Sequence, residues 1–226
     1  MTVTKTPPMH DHNRPTTKGA GVRKRWLFFL LILLMMSGCG IGGKRTYIVK
    51  QYLLEYPPPA AEGLGRINEL LMVERFSVAR AFNTPAMIYK ENAFQYDVDP
   101  YHRWRVNPGD MLSDFLARDL GRAGLFRAVY GPSDVVDTRY RLEGWIEEFA
   151  GRGGKDGPKA VLSLQATFVD LAKKETPERV IFQKSYQLME PLIEKSPEGL
   201  TRAMSLAMER LSKQVISDVY SALKNR

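Results

Sequence analysis

Hydrophobic and polar positions repeat along this chain with two periods, near two and near 3.6, and the switches between them mark out its elements. Residues 46–56 (Thr-Tyr-Ile-Val-Lys-Gln-Tyr-Leu-Leu-Glu-Tyr) are rich in β-branched and aromatic side chains and predict a first strand, closed by Pro57-Pro58-Pro59. Residues 68–79 carry Leu70-Leu71-Met72-Val73, then Phe76 and Val78, and predict a second, well-buried strand broken by Pro85. Met87–Lys90 and Phe94–Val98 read as a hairpin around Glu91-Asn92, with 101–106 extending the pairing. Residues 139–150 and 160–171 alternate over long stretches, and the Gly-rich, polar run 151–159 joins them as an antiparallel hairpin. Residues 126–130 and 180–188 predict two further strands, with 190–195 as a linker.

Two segments follow the helical period instead. Asn107 is an N-cap, Pro108 suits the first helical position and Asp110 sits in the first turn. Met111, Leu112, Phe115, Leu116 and Leu120 then share one face, and Gly124 is placed to end the helix. The second helix runs from Pro197 to Leu223 behind a Ser196 cap, with Leu200, Ala203, Met204, Ala207, Met208, Leu211, Val215, Val219 and Leu223 as its apolar stripe. The expected fold class is α/β, bordering on α+β. It is a single layered domain in which a mixed β-sheet with long antiparallel hairpin strands carries two main helices.

The N-terminus departs from both periods. Trp26 to Met36 is continuously apolar, Arg23, Lys24 and Arg25 precede it, and Met36-Ser37-Gly38-Cys39 follows. A basic stretch, an apolar run and small residues in that order read as an export signal. The run spans eleven residues, against the roughly 20 a membrane-spanning helix needs. Met36-Ser37-Gly38-Cys39 resembles a bacterial lipobox, whose cysteine is acylated and becomes the first residue of the processed chain. An unacylated thiol and a signal anchor are the competing readings; Ser37 and Gly38 directly before the sole cysteine favour lipidation. The organisation expected is a cleaved leader and signal peptide over 1–38, a lipidated tether over 39–45 and a folded periplasmic domain over 46–226. Gly40, where an aspartate would retain a lipoprotein at the inner membrane, favours the outer membrane.

Charge changes the picture once the leader is set aside. Lys5, Arg14, Lys18, Arg23, Lys24 and Arg25 against Asp11 supply +5 of the formal +8, leaving +3 on the remainder, with acids and bases interspersed. No basic stripe of a nucleic-acid binder stands out. With Cys39 acylated, no internal disulfide forms. His102 is the only histidine beyond the leader, too few for a zinc centre of the usual ligands. No metal or cofactor is expected.

Candidate chemistry is sparse. Gly151-Arg152-Gly153-Gly154-Lys155-Asp156 looks superficially like a phosphate loop, but Asp156 follows the lysine and a strand rather than a helix follows the loop. Asp97, Asp99 and Asp110 lack calcium-loop spacing. Ser113 and His102 lack a nucleophile elbow. No catalytic signal emerges, and the chain is expected not to be an enzyme. The stretch from Met87 to Trp104 concentrates aromatics with polar tips, which suit a surface that meets a partner, although filling the sheet–helix core is the commoner role for any one ring. Tyr89, Tyr96 and Trp104 are the candidate contact residues.

These residues also carry a resemblance. Phe76-Ser77-Val78-Ala79 before Met87-Ile88-Tyr89-Lys90, then Phe94-Gln95-Tyr96, Trp104 and Pro108 with Met111-Leu112 resemble the ABC-type transport auxiliary lipoprotein component family, which includes the paraquat-inducible protein C group. Leu120-Gly121-Arg122-Ala123-Gly124-Leu125-Phe126, Tyr140-Arg141-Leu142-Glu143-Gly144 and the lipobox extend the match. The resemblance implies a mixed sheet with helices and a non-enzymatic envelope lipoprotein. It implies as partners an MCE-domain protein and an ABC permease and ATPase that move lipid between the inner and outer membranes. It further implies docking to the end of a periplasmic MCE assembly and admits a homo-oligomeric ring. The alternatives are an envelope assembly factor, such as a secretin-chaperone lipoprotein, and a lipid carrier with its own cavity.

Overall fold

The computed structural model describes Trp26, residues 47–60 and residues 63–224. Nine strands form one curled mixed sheet. In chain order they are β1 (Lys50–Tyr52), β2 (Ile67–Val73), β3 (Ser77–Val78), β4 (Ala86–Lys90), β5 (Tyr96–Trp104), β6 (Phe126–Tyr130), β7 (Tyr140–Arg152), β8 (Lys159–Asp170) and β9 (Val180–Pro191). Helices α1 (Pro108–Arg122) and α3 (Pro197–Lys224) are long, and α2 (Thr176–Arg179) is a single turn before β9. The class is mixed α/β in a single domain, as the sequence predicts.

Strand β7 organises the sheet. One edge carries β8 in antiparallel register from Tyr140↔Asp170 to Arg152↔Lys159, and β9 continues the meander on β8. Along its other edge β2, β3 and β4 lie end to end, all parallel to it, through Leu71↔Tyr140, Ser77↔Trp145 and Tyr89↔Gly151. The single strand expected over 68–79 is therefore two strands, interrupted where the Phe76 side chain turns into the core. That ring covers Gly144 so closely that a Cβ there would stand 2.5 Å from its Cγ. The strand expected over 46–56 is also shorter. Beyond Tyr52 the chain leaves the sheet and crosses the helices: the Glu55 N–H donates to Ser205 Oγ of α3 at 3.0 Å, while Leu54 and Tyr56 are buried. The segment expected as a linker over 190–195 begins inside β9, where buried Glu190 pairs with Arg210 of α3 at 2.6 Å.

The helices form where caps and periodicity place them. Asn107 Oδ1 accepts from the Gly109 N–H at 2.9 Å, and Ser196 Oγ accepts from the Gly199 N–H at 3.0 Å. The apolar stripes of α1 and α3 close the main core against Leu142, Ile146, Phe149, Leu162, Leu164 and Phe168 of β7 and β8. Phe82, Ile88 and Ala150 make a small second cluster. None of the described helices is long and apolar enough to cross a membrane.

Candidate docking site

The hairpin of β4 and β5 is where the predicted contact residues fall, and its register decides what each can touch. Ala86 pairs with Arg103, but Ile88 pairs with Val98, so between these pairs one residue of β4 faces four of β5. Pro100 has no N–H to give the ladder, and Asp99 clamps the resulting bulge: its Oδ1 accepts from the N–H groups of Tyr101 at 2.8 Å and His102 at 2.9 Å. An odd slip exchanges the faces of a strand. Trp104 beyond the bulge therefore points under the helices, 1% exposed, its ring 5.1 Å from that of Phe149. This corrects the expectation for Trp104, which is a core residue out of reach of any partner. Tyr96, before the bulge, is 43% exposed; its ring stands edge-on to Phe82 at 6.0 Å with the Lys90 ammonium 5.1 Å from its centroid.

Tyr89 lies on the helix side of the same sheet. Gly151 opposite it has no side chain, and a Cβ there would meet Tyr89 Cδ1 at 2.8 Å and Leu200 of α3 at 3.5 Å. The ring thus rests on bare backbone with its hydroxyl turned to Met87 Sδ at 3.8 Å. The structure does not bring the three predicted aromatics together: Tyr89 and Tyr96 occupy opposite faces, and Trp104 lies beneath.

Around half-buried Tyr89 two clefts open. One, of about 440 Å³, is lined by Arg152, Gly153, Gly154 and Lys155 of the β7–β8 turn together with Leu192. The other, of about 430 Å³, is lined by Asp97, Asp99, Tyr101 and His102 of β5 with Ser196 and Pro197 at the start of α3. Tyr89, Glu91 and Lys195 line both. The Gly-rich run that resembled a phosphate loop is a hairpin turn, and its role here is to leave space beside Tyr89.

The second cleft has a mainly apolar lining, with a hydrogen-bonded polar cluster at its edge. His102 Nδ1 stands 2.8 Å from Asp99 Oδ2, the Tyr52 ring packs 5.9 Å from that imidazole, and the Tyr52 O–H donates to Glu198 Oε1 at 2.7 Å. Burial pushes the Asp99 carboxyl up, but the Tyr101 N–H, the His102 ring and the His102 N–H outweigh it and hold it below the usual range. Glu198 is likewise held low, first by the Tyr52 hydroxyl. Burial, then the Glu198 bond, raises Tyr52 to about 12; burial, then the charges of Asp99 and Glu198, raises Tyr89 to about 12. Ser113, weighed as a nucleophile, is buried in α1 and donates to the Gly109 carbonyl at 2.8 Å. Among the described residues no group of three or more histidine, cysteine or acidic side chains is placed to hold a metal. Cys39 lies outside the described residues.

Sequence reasoning missed a second carboxylate cluster. Asp119 of α1 is fully buried; its Oδ2 accepts from Tyr56 O–H at 2.7 Å and Ser212 O–H at 2.6 Å, and its Oδ1 accepts from Arg118 Nε at 2.8 Å. The Arg118 guanidinium lies 4.5 Å from the Tyr56 and Phe115 ring centroids. This group fastens the β1–β2 connection, α1 and α3 to one another. The available sequence signal was an acid beside the buried position of Leu120, which reads as an ordinary boundary of a helix face.

The fold recurs among solved structures. Protein XCC0632 from Xanthomonas campestris superposes with a TM-score of 0.69 at 17% identity, over 78% of this chain and 98% of that one. Hypothetical protein CT253 from Chlamydia trachomatis superposes with a TM-score of 0.50 at 10% identity, over 71% of this chain and all of that one. At such identities the likeness is one of fold. The family is shown by sequence: residues 52–216 match the model of the ABC-type transport auxiliary lipoprotein component, and the chain belongs to that family. Membership places it among lipoproteins of the bacterial envelope that accompany ABC transporters. No curated protein matches it significantly.

Proposed function

We propose that this chain is a non-catalytic adaptor of an MCE-type ABC transporter that moves lipid between the inner and outer membranes. In this reading acylated Cys39 holds it in the inner leaflet of the outer membrane. The family match over residues 52–216 carries the reading. Tyr89 supports it as a docking element: a half-buried ring with open clefts on both sides offers an apolar body and a polar rim to an inserted partner side chain. Tyr96, exposed on the other side of the sheet, is a second contact.

A photo-crosslinking residue placed at Tyr89 or Tyr96 in cells tests this. Adducts with the MCE protein or permease encoded beside this chain are expected. Adducts with a secretin or a β-barrel protein would overturn the transporter assignment in favour of an assembly factor. Cys39→Ala is expected to abolish incorporation of a fatty-acid analogue, and unchanged incorporation refutes the anchor.

A further inference from the structure

The sheet edge formed by β1 and β5 differs from the rest of the surface. Before β1, Tyr47, Ile48 and Val49 are 59%, 81% and 44% exposed, three consecutive large apolar side chains facing solvent. The Tyr47 ring lies 5.0 Å from that of Tyr101, which the β5 bulge turns outward. Arg103 and Arg105 are exposed directly after it, and Arg105 Nη1 reaches across to Gln51 Oε1 at 3.3 Å. Residues 47–53 and 101–106 together hold Lys50, Arg103 and Arg105 and no acidic residue. Paired tyrosines, bare aliphatics and the exposed Arg103 and Arg105 on one edge match the chemistry of a bilayer interface, where amphipathic rings sit at headgroup level and basic side chains meet anionic lipid; the nearby acids Asp99 and Glu198 are engaged by His102 and Tyr52.

The chain's own connectivity says what covers this edge. Only residues 40–46 separate Cys39 from Tyr47, a reach of roughly 28 Å when fully extended. A folded body of this size has a radius of gyration of roughly 16 Å and is about 40 Å across. A tether shorter than the body it holds turns the entry side of that body towards the lipid. We propose that the β1–β5 edge, through Tyr47, Ile48, Val49, Arg103 and Arg105, lies on the anionic headgroup surface of the bilayer that carries the anchor, and so fixes how the domain presents the rest of its surface to the periplasm. The proposal rests on acylation of Cys39.

The test uses the full chain processed in a bacterial envelope, purified and reconstituted into phosphatidylethanolamine–phosphatidylglycerol vesicles with brominated acyl chains. Fluorescence of Tyr47→Trp, corrected for the parent chain, is expected to fall at least twofold relative to unbrominated vesicles. Arg103→Glu with Arg105→Glu is expected to remove most of that quenching on phosphatidylglycerol vesicles and to change little on neutral ones, each basic side chain near an anionic surface strengthening association roughly fivefold. Both arginines are exposed, and an unchanged circular dichroism melt confirms that the variant folds. Intact mass of the same sample reads the anchor separately. Missing acyl mass refutes the anchor alone, and quenching that persists without it still assigns the edge to lipid. Absent quenching, with or without the acyl mass, overturns the proposal. So does quenching that appears only when envelope proteins are added, which assigns the edge to a protein partner.

Discussion

Strand β5 carries aromatic residues at both ends, and the two ends do opposite work. Trp104 is 1% exposed and closes the core beneath the helices, whereas Tyr96 is 43% exposed on the far side of the sheet. Nothing in their immediate sequence neighbours separates them; the Asp99-Pro100 bulge does, by exchanging the faces of the strand. The two carboxylate clusters make the same contrast. Asp119 and Asp99 each gather hydrogen-bond donors, but Asp119 joins two helices and a loop in the interior, while Asp99 shapes a bulge beside an open cleft. The helix-covered part of the molecule therefore spends its polar groups on holding elements together, and the β1–β5 rim spends them on shaping surface.

Trp104→Ala is the strongest way to break this contrast. Removing a fully buried ring is expected to cost about 3–5 kcal/mol in urea unfolding, whereas Tyr96→Ala is expected to stay within about 1 kcal/mol. Equal losses would show that both ends of β5 are core. Next comes Asp119→Ala, which strands the Tyr56 and Ser212 hydroxyls in the interior and is expected to cost about 2–4 kcal/mol. Tyr56→Phe, which removes one donor and leaves the carboxylate two, is expected to cost about 1 kcal/mol by the same measurement.

Much of this fold was legible in the sequence because its signals are local. The caps at Asn107 and Ser196, the apolar stripes of α1 and α3 and the β7–β8 hairpin all depend on residues a few positions apart, and the structure has each of them. The misses depend on distant partners. The first predicted strand shrinks to Lys50–Tyr52 because Ser205, far along the chain, takes the Glu55 N–H. Alternation along 139–150 does not by itself decide whether Trp145 or Ile146 faces inward; Ile146 is buried and Trp145 is 45% exposed. The site was half legible: the aromatic stretch marked the right hairpin, but the odd slip at Pro100 placed Trp104 inside. The clefts flanking Tyr89 were not legible, since they need the β7–β8 turn and the start of α3 to meet.

Gly151→Ala sharpens the contrast at the clefts. A Cβ at that position strikes the Tyr89 ring, and overpacking of this kind costs about 1–3 kcal/mol. If the clash with Tyr89 is the cause, Tyr89→Ala relieves it, and the double variant is expected to be more stable than the sum of the single losses predicts. Strict additivity in the unfolding free energies would mean that the two residues do not press on each other.

The smallest expected effect is one of pH, and it separates the tyrosines of the rim from its carboxylate by its sign. Tyr52 and Tyr89 are raised to about 12 in the folded protein, against about 10 for an unfolded tyrosine. Their contribution to stability is complete below pH 10 and is lost as pH rises through about 12, because the unfolded chain ionises first. Asp99 works at the other end. Its folded carboxyl is held below the ordinary range, so its contribution is present above about pH 4 and fades as pH falls through its lowered value. Glu198→Gln removes the carboxylate from the Tyr52 hydroxyl and, with it, the second of the causes that raise that tyrosine. In a spectrophotometric tyrosine titration the variant is expected to ionise Tyr52 at lower pH and to shift Tyr89 less, since burial is the leading cause for Tyr89 and Glu198 ranks last among its causes. Equal shifts of both tyrosines would show that Glu198 governs the whole rim electrostatically; no shift of Tyr52 would show that its burial alone suffices.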